Sequence, residues 1–128
     1  MAVPKYDAMF NPLLEAIRKL GGSASITEQE DEVATLLKLS ESDLAEVHRG
    51  NRTKFSYRLA WARTYLKRYG LLENSARGVW ALTVEGHRAT SVDKNKVKRF
   101  VVELDRKQKH DSIEPESVES EDDAQGWE

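Results

Sequence analysis

Apolar residues recur at helical spacing along most of this chain. Phe10, Leu13, Leu14, Ile17 and Leu20 form the first such set. Asp7 is one candidate cap for this helix. Asn11 followed by Pro12 is the other, so the helix either starts at Pro12 or bends there. Gly21-Gly22 stops it. Ser23 to Ile26 suits one brief strand. Thr27 and Glu30 have capping-box spacing and predict a second helix with Val33, Leu36 and Leu37 turned inward. Ser40 and Asp43 begin a short helix carrying Leu44 and Val47, which Gly50 ends.

The next stretch organises the rest. Phe55, Leu59, Ala62, Leu66 and Tyr69 fall within about 80° of arc at 100° per residue, a stripe that must be buried. They predict a helix from about Lys54 to Tyr69, with Gly70 as its left-handed stop. The opposite face holds Thr53, Ser56, Tyr57, Ala60 and Thr64, which are small or hydroxylated and are expected to face outward. Between Val47 and Leu72 there are seven Lys or Arg and no acid. Lys54, Arg58, Arg63 and Lys67 edge the buried stripe. Such a helix suits a groove: cations reach phosphates while small polar groups face base edges. The competing reading is an amphipathic helix with solvated cations.

Leu71-Leu72 and Val79 to Leu82 read as two strands, with Asn74 to Gly78 as the turn and Arg77 at its tip. Trp80 and Leu82 share one face; Val79 and Ala81 share the other. Thr83 caps a short helix through Glu85 to Ala89. The predicted fold is therefore mainly α with α+β character, a winged helix-turn-helix with a two-stranded C-terminal β-hairpin as its wing. It spans residues 1–90. Val97, Phe100, Val101 and Leu104 predict an additional basic helix within 91–110, packed beside the hairpin, used in dimerisation, or serving as a second DNA-contacting element. Residues 111–128 read as an acidic, disordered linker or tail.

Charge sharpens this division. Residues 1–110 hold all 20 Lys and Arg against 14 acids, a net +6; residues 111–128 hold 8 acids and no base. A basic body points to an anionic partner. There is no cysteine, hence no disulfide framework or thiolate metal site. No apolar run reaches the roughly 18 residues of a membrane span, and the N-terminus lacks a signal-peptide core, so a cytoplasmic protein is expected.

Catalytic patterns are thin. His48, His87 and His110 lack metal-ligand spacing, so no metal and no cofactor are expected. Asp93 with Asp105-Arg106-Lys107 weakly resembles the D…DxK arrangement of metal-dependent nucleases. That chemistry needs both acids on adjacent strands, whereas Asp93 reads as a helix cap and Asp105 as helical. The residues assigned to contact are Arg52, Lys54, Tyr57, Arg58, Arg63, Thr64, Lys67 and Arg77. Arg58, beside the stripe, has a structural alternative in a pairing with an acid such as Glu73. Trp61 and Trp80 read as core.

Three segments carry a family resemblance: VPKYDAMFNPLLEAI, YRLAWARTYLKRYGLLE and RGVWALTVEG. The densest pattern is Arg58-x-x-Trp61-Ala62-x-x-x-Leu66, then Gly70-Leu71, then Arg77-Gly78-x-Trp80-x-Leu82-Thr83-x-x-Gly86. Over residues 3–90 the chain resembles the N-terminal domain of Mrr-type restriction proteins. Tyr57 stands where that pattern has Asn. The resemblance implies a winged-helix domain binding double-stranded DNA, ahead of a PD-(D/E)xK nuclease domain that cuts modified, typically methylated, DNA. No such nuclease domain is present in this sequence, so it is expected to be a piece of a longer enzyme and not itself catalytic. The rivals are a protein-interaction domain, as a homodimer or with another partner, and a free-standing transcription regulator acting as a symmetric dimer.

Overall fold

A computed structural model describes residues 3–108. The acidic segment 111–128 lies outside the described residues. A 3-10 turn, Tyr6–Met9, leads directly into α1, Phe10–Lys19. Neither Asp7 nor Asn11 caps this helix. Pro12 is the third residue of α1, where its missing N–H would have no intrahelical partner anyway. Asn11 instead binds Val92 twice, donating to its carbonyl at 3.1 Å and accepting from its N–H at 2.8 Å. Strand β1, Ser23–Ser25, precedes α2, Ile26–Leu37.

The capping box of α2 is Ser25 with Glu28, two residues earlier than the spacing of Thr27 and Glu30 suggests. Ser25 Oγ accepts from Glu28 N at 3.1 Å, and Glu28 Oε1 accepts from Ser25 N at 2.9 Å. Tertiary pairing selects between two local solutions here: β1 ends where its antiparallel partner strand begins, with Ser25 opposite Val79 and Ile26 N–H donating to the Gly78 carbonyl. The Ser40–Asp43 box does start α3, Glu41–Ala45. The chain after it is not helical. Val47–Arg49 is strand β2 and Arg52–Thr53 is strand β3, an antiparallel ribbon turning at Gly50-Asn51. Val47 is accordingly 56% exposed rather than inward.

Helix α4, Lys54–Tyr69, is capped by Thr53, whose Oγ1 accepts from Ser56 N, and ends at Gly70 with φ 100°. Strands β4, Leu72–Ala76, and β5, Val79–Leu82, follow. A register shift between Asn74 and Ala76 lengthens β4 and narrows the turn to Arg77-Gly78. The sheet has three strands in the order β1-β5-β4, all antiparallel. Trp80 and Leu82 are buried and Val79 and Ala81 half-buried, as the alternation requires. Thr83 caps α5, Val84–Arg88.

The last helix, α6, Lys94–Gln108, packs on α4 and the N-terminal turn rather than beside the hairpin. Val97 and Val101 enter the common core, Tyr69 and Phe100 meet edge to face at 5.3 Å, and Lys98 pairs with Asp7 at 3.0 Å. The architecture is mainly helical with a small antiparallel sheet.

The greatest departure from the periodicity is α4. Ten of its sixteen residues are buried, on every side. The predicted stripe is inward, with Tyr69 half-buried, but so are Tyr57, Ala60 and Thr64 of the supposed outer face. Neighbours on several sides cause this. Tyr6 of the N-terminal turn stacks near Tyr65 at 4.9 Å, α6 covers another flank, and α1, β4 and the β2–β3 ribbon pack elsewhere. A central helix buries even polar positions along its middle, because neighbours cover it on most sides there.

Candidate nucleic-acid interface

Thr53 ends the ribbon and caps α4, so the two elements are joined without a linker. Lys54 N–H donates to the Glu46 carbonyl at 2.8 Å, closing the base of the ribbon. Its ammonium pairs with Glu46 Oε2 at 2.9 Å. One turn along α4, the Tyr57 ring anchors the ribbon: His48 stacks on it at 3.9 Å with 10° between planes, and the Arg52 guanidinium lies 5.8 Å from its centroid. Tyr57, Trp61 and Tyr65 continue as an edge-to-face ladder along α4. Tyr57 thus faces inward, 2% exposed, rather than lying on the outward face the periodicity suggests, and its ring holds the ribbon.

A second line of groups runs from the ribbon toward the sheet. Arg63 is 1% exposed. Its guanidinium donates to Gln29 Oε1 at 3.2 Å and lies 5.9 Å from the Trp80 ring. Gln29, also fully buried, donates in turn to the Ala24 carbonyl at 2.9 Å. Burial pulls the Arg63 pKa down to about 10; Glu30 opposes that shift and Arg52 adds to it. Arg63 therefore stays charged at neutral pH, and it ties α4 to α2 and, through Gln29, to β1. Lys67, one turn on, lies over the Trp80 ring at 5.8 Å and is exposed.

The eight sequence-assigned residues fall into two groups. Lys67 and Arg77 are exposed; Arg52, beside the ribbon turn, and Lys54, at the ribbon base, are half-buried. The others are inward or engaged. Thr64 is 7% exposed and Arg63 is in the core, so neither lies on an outward face of α4. Arg58 donates to the carbonyls of Val3 at 2.8 Å and Pro4 at 3.3 Å, holding the N-terminal segment rather than pairing with Glu73. Helical periodicity located the buried stripe but carried no information on what packs against the other sides.

Arg49, Gly50 and Asn51 at the ribbon turn are all exposed; the sequence reading took Gly50 as a helix stop and assigned no contact to Arg49 or Asn51. The signal was present. Gly-Asn between Val-His-Arg and Arg-Thr is a two-residue hairpin signature, with Gly50 supplying a φ of 57°. Asp93 accepts from Asn95 N–H at 2.8 Å in the manner of a helix cap, and Asp105 lies on α6, so the two do not form the strand-borne pair a nuclease centre needs. Among the described residues no helix is long and apolar enough to cross a membrane.

Residues 6–91 match the family described as Mrr N-terminal domain. Over 86 residues the chain is 33% identical to the type IV methyl-directed restriction enzyme EcoKMrr of Escherichia coli strain K12. That stretch is 67% of this chain and 28% of the relative, so the matched part spans under a third of that protein. No solved structure gives a significant match. The match covers the three-stranded sheet, the ribbon and α4 together, and the chain belongs to the Mrr N-terminal domain family.

Proposed function

We propose that this chain is a double-stranded DNA-binding domain of a restriction system, built on a winged-helix plan. The observation that carries this reading is the line of cations along one flank of α4, from Arg52 through buried Arg63 to exposed Lys67 above Trp80. Cations on a common flank lower the potential energy of a polyanion along their length, and those reaching water displace condensed counterions. The β4–β5 hairpin serves as the wing, with Arg77 placed for flanking phosphates. Strand cleavage belongs to a separate nuclease domain, and methylated DNA is the proposed target because the relative is a methyl-directed enzyme. Self-association would use α6, where Phe100 and Val102 are about half exposed.

A salt titration with short duplexes, methylated and unmethylated, tests this. Steep salt dependence is expected, and Lys67→Ala should reduce the slope of log K against log salt by about one. A methylation-dependent difference beyond about 1 kcal/mol would place modification reading in this domain. Absence of binding at low salt would overturn the reading in favour of a protein-interaction domain.

A further inference from the structure

We propose that the β2–β3 ribbon, and not α4, reads the bases, with the turn Arg49-Gly50-Asn51 entering the major groove. This rests on the duplex-DNA reading and names the part of the surface that meets base edges.

A helix that lies in a groove must present an outward row of side chains. Helix α4 has none of useful length: Tyr57, Ala60, Arg63 and Thr64 are buried, and Arg58 is committed to the Val3 and Pro4 carbonyls. The ribbon has the opposite character. No residue of β2 or β3 is fully buried, and the turn between them is exposed throughout.

Its dimensions select the groove. Two strands lie about 4.8 Å apart, so with side chains the ribbon is roughly 10 Å wide. That fits a major groove about 12 Å wide and exceeds a minor groove of about 6 Å. Its chemistry suits purine edges: an arginine fork matches O6 and N7 of guanine, and an asparagine amide matches N6 and N7 of adenine. Gly50 between them has no side chain and keeps the tip slim.

The mounting is stiff. His48 and Arg52 both lie against the Tyr57 ring, and Lys54 N–H closes the ribbon base on the Glu46 carbonyl. A preorganised element loses less freedom on binding than a loop. The acid at the ribbon base, Glu46, is paired with Lys54, which reduces its repulsion of phosphate. Arg52, beside the inserted turn, and Lys54, at the ribbon base, then serve as backbone contacts.

The test uses the whole chain, duplex DNA and the double variant Arg49→Ala/Asn51→Ala. The turn is exposed, so an unchanged thermal melt is expected. Affinity should fall on the order of tenfold or more. Replacing duplex purines by their 7-deaza analogues should weaken the wild type similarly and leave the double variant little changed. Arg49→Lys should retain the wild-type salt slope and weaken the 7-deazaguanine part of the effect, because an ammonium lacks the planar fork, while the 7-deazaadenine part, which Asn51 carries, stays. Wild-type binding that the double variant fully retains would overturn the ribbon proposal and leave the DNA reading intact. Insensitivity to 7-deazapurines, with displacement by a minor-groove ligand, would overturn it as well. Failure of the wild type to bind any duplex would remove both.

Discussion

Two antiparallel hairpins adjoin α4, and they are held in different ways. The β4–β5 hairpin gains a third strand, β1, and sends Leu72, Trp80 and Leu82 into the core. Backbone hydrogen bonds extend its pairing at both ends, from Ile26 to Gly78 and from Leu82 to Gly22. The β2–β3 ribbon pairs only with itself among the described residues and buries no residue fully. The Tyr57 ring and the Lys54–Glu46 ion pair at its base are among its supports. The first hairpin is part of what makes the fold stable. The second is an addition to its surface, with an exposed tip. Substitutions in the two should separate accordingly, into losses of stability and losses of binding.

The largest stability effect should come from the sheet. Trp80→Ala should cost about 3–5 kcal/mol in chemical denaturation, since it empties the space between the sheet and α4. Next is Arg63→Ala, which leaves the buried Gln29 carbonyl oxygen without this donor and opens a gap against Trp80. A loss of about 2–3 kcal/mol is expected. Arg63→Met should lose less than Arg63→Ala, because an apolar chain of similar length fills the gap and avoids desolvating a cation.

On the ribbon, His48→Ala should cost about 1 kcal/mol, the value of one stacked pair. Losses from His48→Ala as large as those from Trp80→Ala would break the comparison and make the ribbon a structural element.

Smaller still is the effect of Asp43, just before the ribbon. The Ser40 backbone N–H, donating at 3.0 Å, lowers the Asp43 pKa below its ordinary 3.8; burial opposes this and the Ser40 hydroxyl assists. A depressed carboxylate contributes stability above the unfolded value and loses it as pH falls through the folded value. The stability gap between the wild type and Asp43→Asn should therefore be constant above about pH 5 and shrink below 3.8. A gap unchanged through acid would mean that the Ser40–Asp43 contact does not depend on ionisation.

How far the sequence was legible depended on how local the deciding contact was. The Ser40–Asp43 box, the Gly70 stop and the alternation of Trp80 and Leu82 each involve neighbours within a few residues, and each reads directly. The start of α2 did not, because Ser25–Glu28 and Thr27–Glu30 are both serviceable caps, and the β1–β5 register chose between them. The ribbon was legible in Gly50-Asn51, but the adjoining Leu44 and Val47 also suit a helix, and that weaker pattern hid it. Tyr57, Arg63 and Thr64 were misplaced for one reason. Helical periodicity identifies the most apolar face of a helix, and says nothing about whether the remaining faces are covered.

The sequence by itself determined the order of the main helices and the hairpin, the inward stripe of α4, the basic character of the body and the family to which the chain belongs. These follow from local propensity, spacing and charge, which the chain carries before it folds. Only the tertiary structure decided which cations meet water. Tyr6, α6, Gln29 and Trp80 converge on α4 from distant parts of the chain, and enclosing that helix leaves the ribbon, Lys67 and the Arg77 turn as basic outer surface.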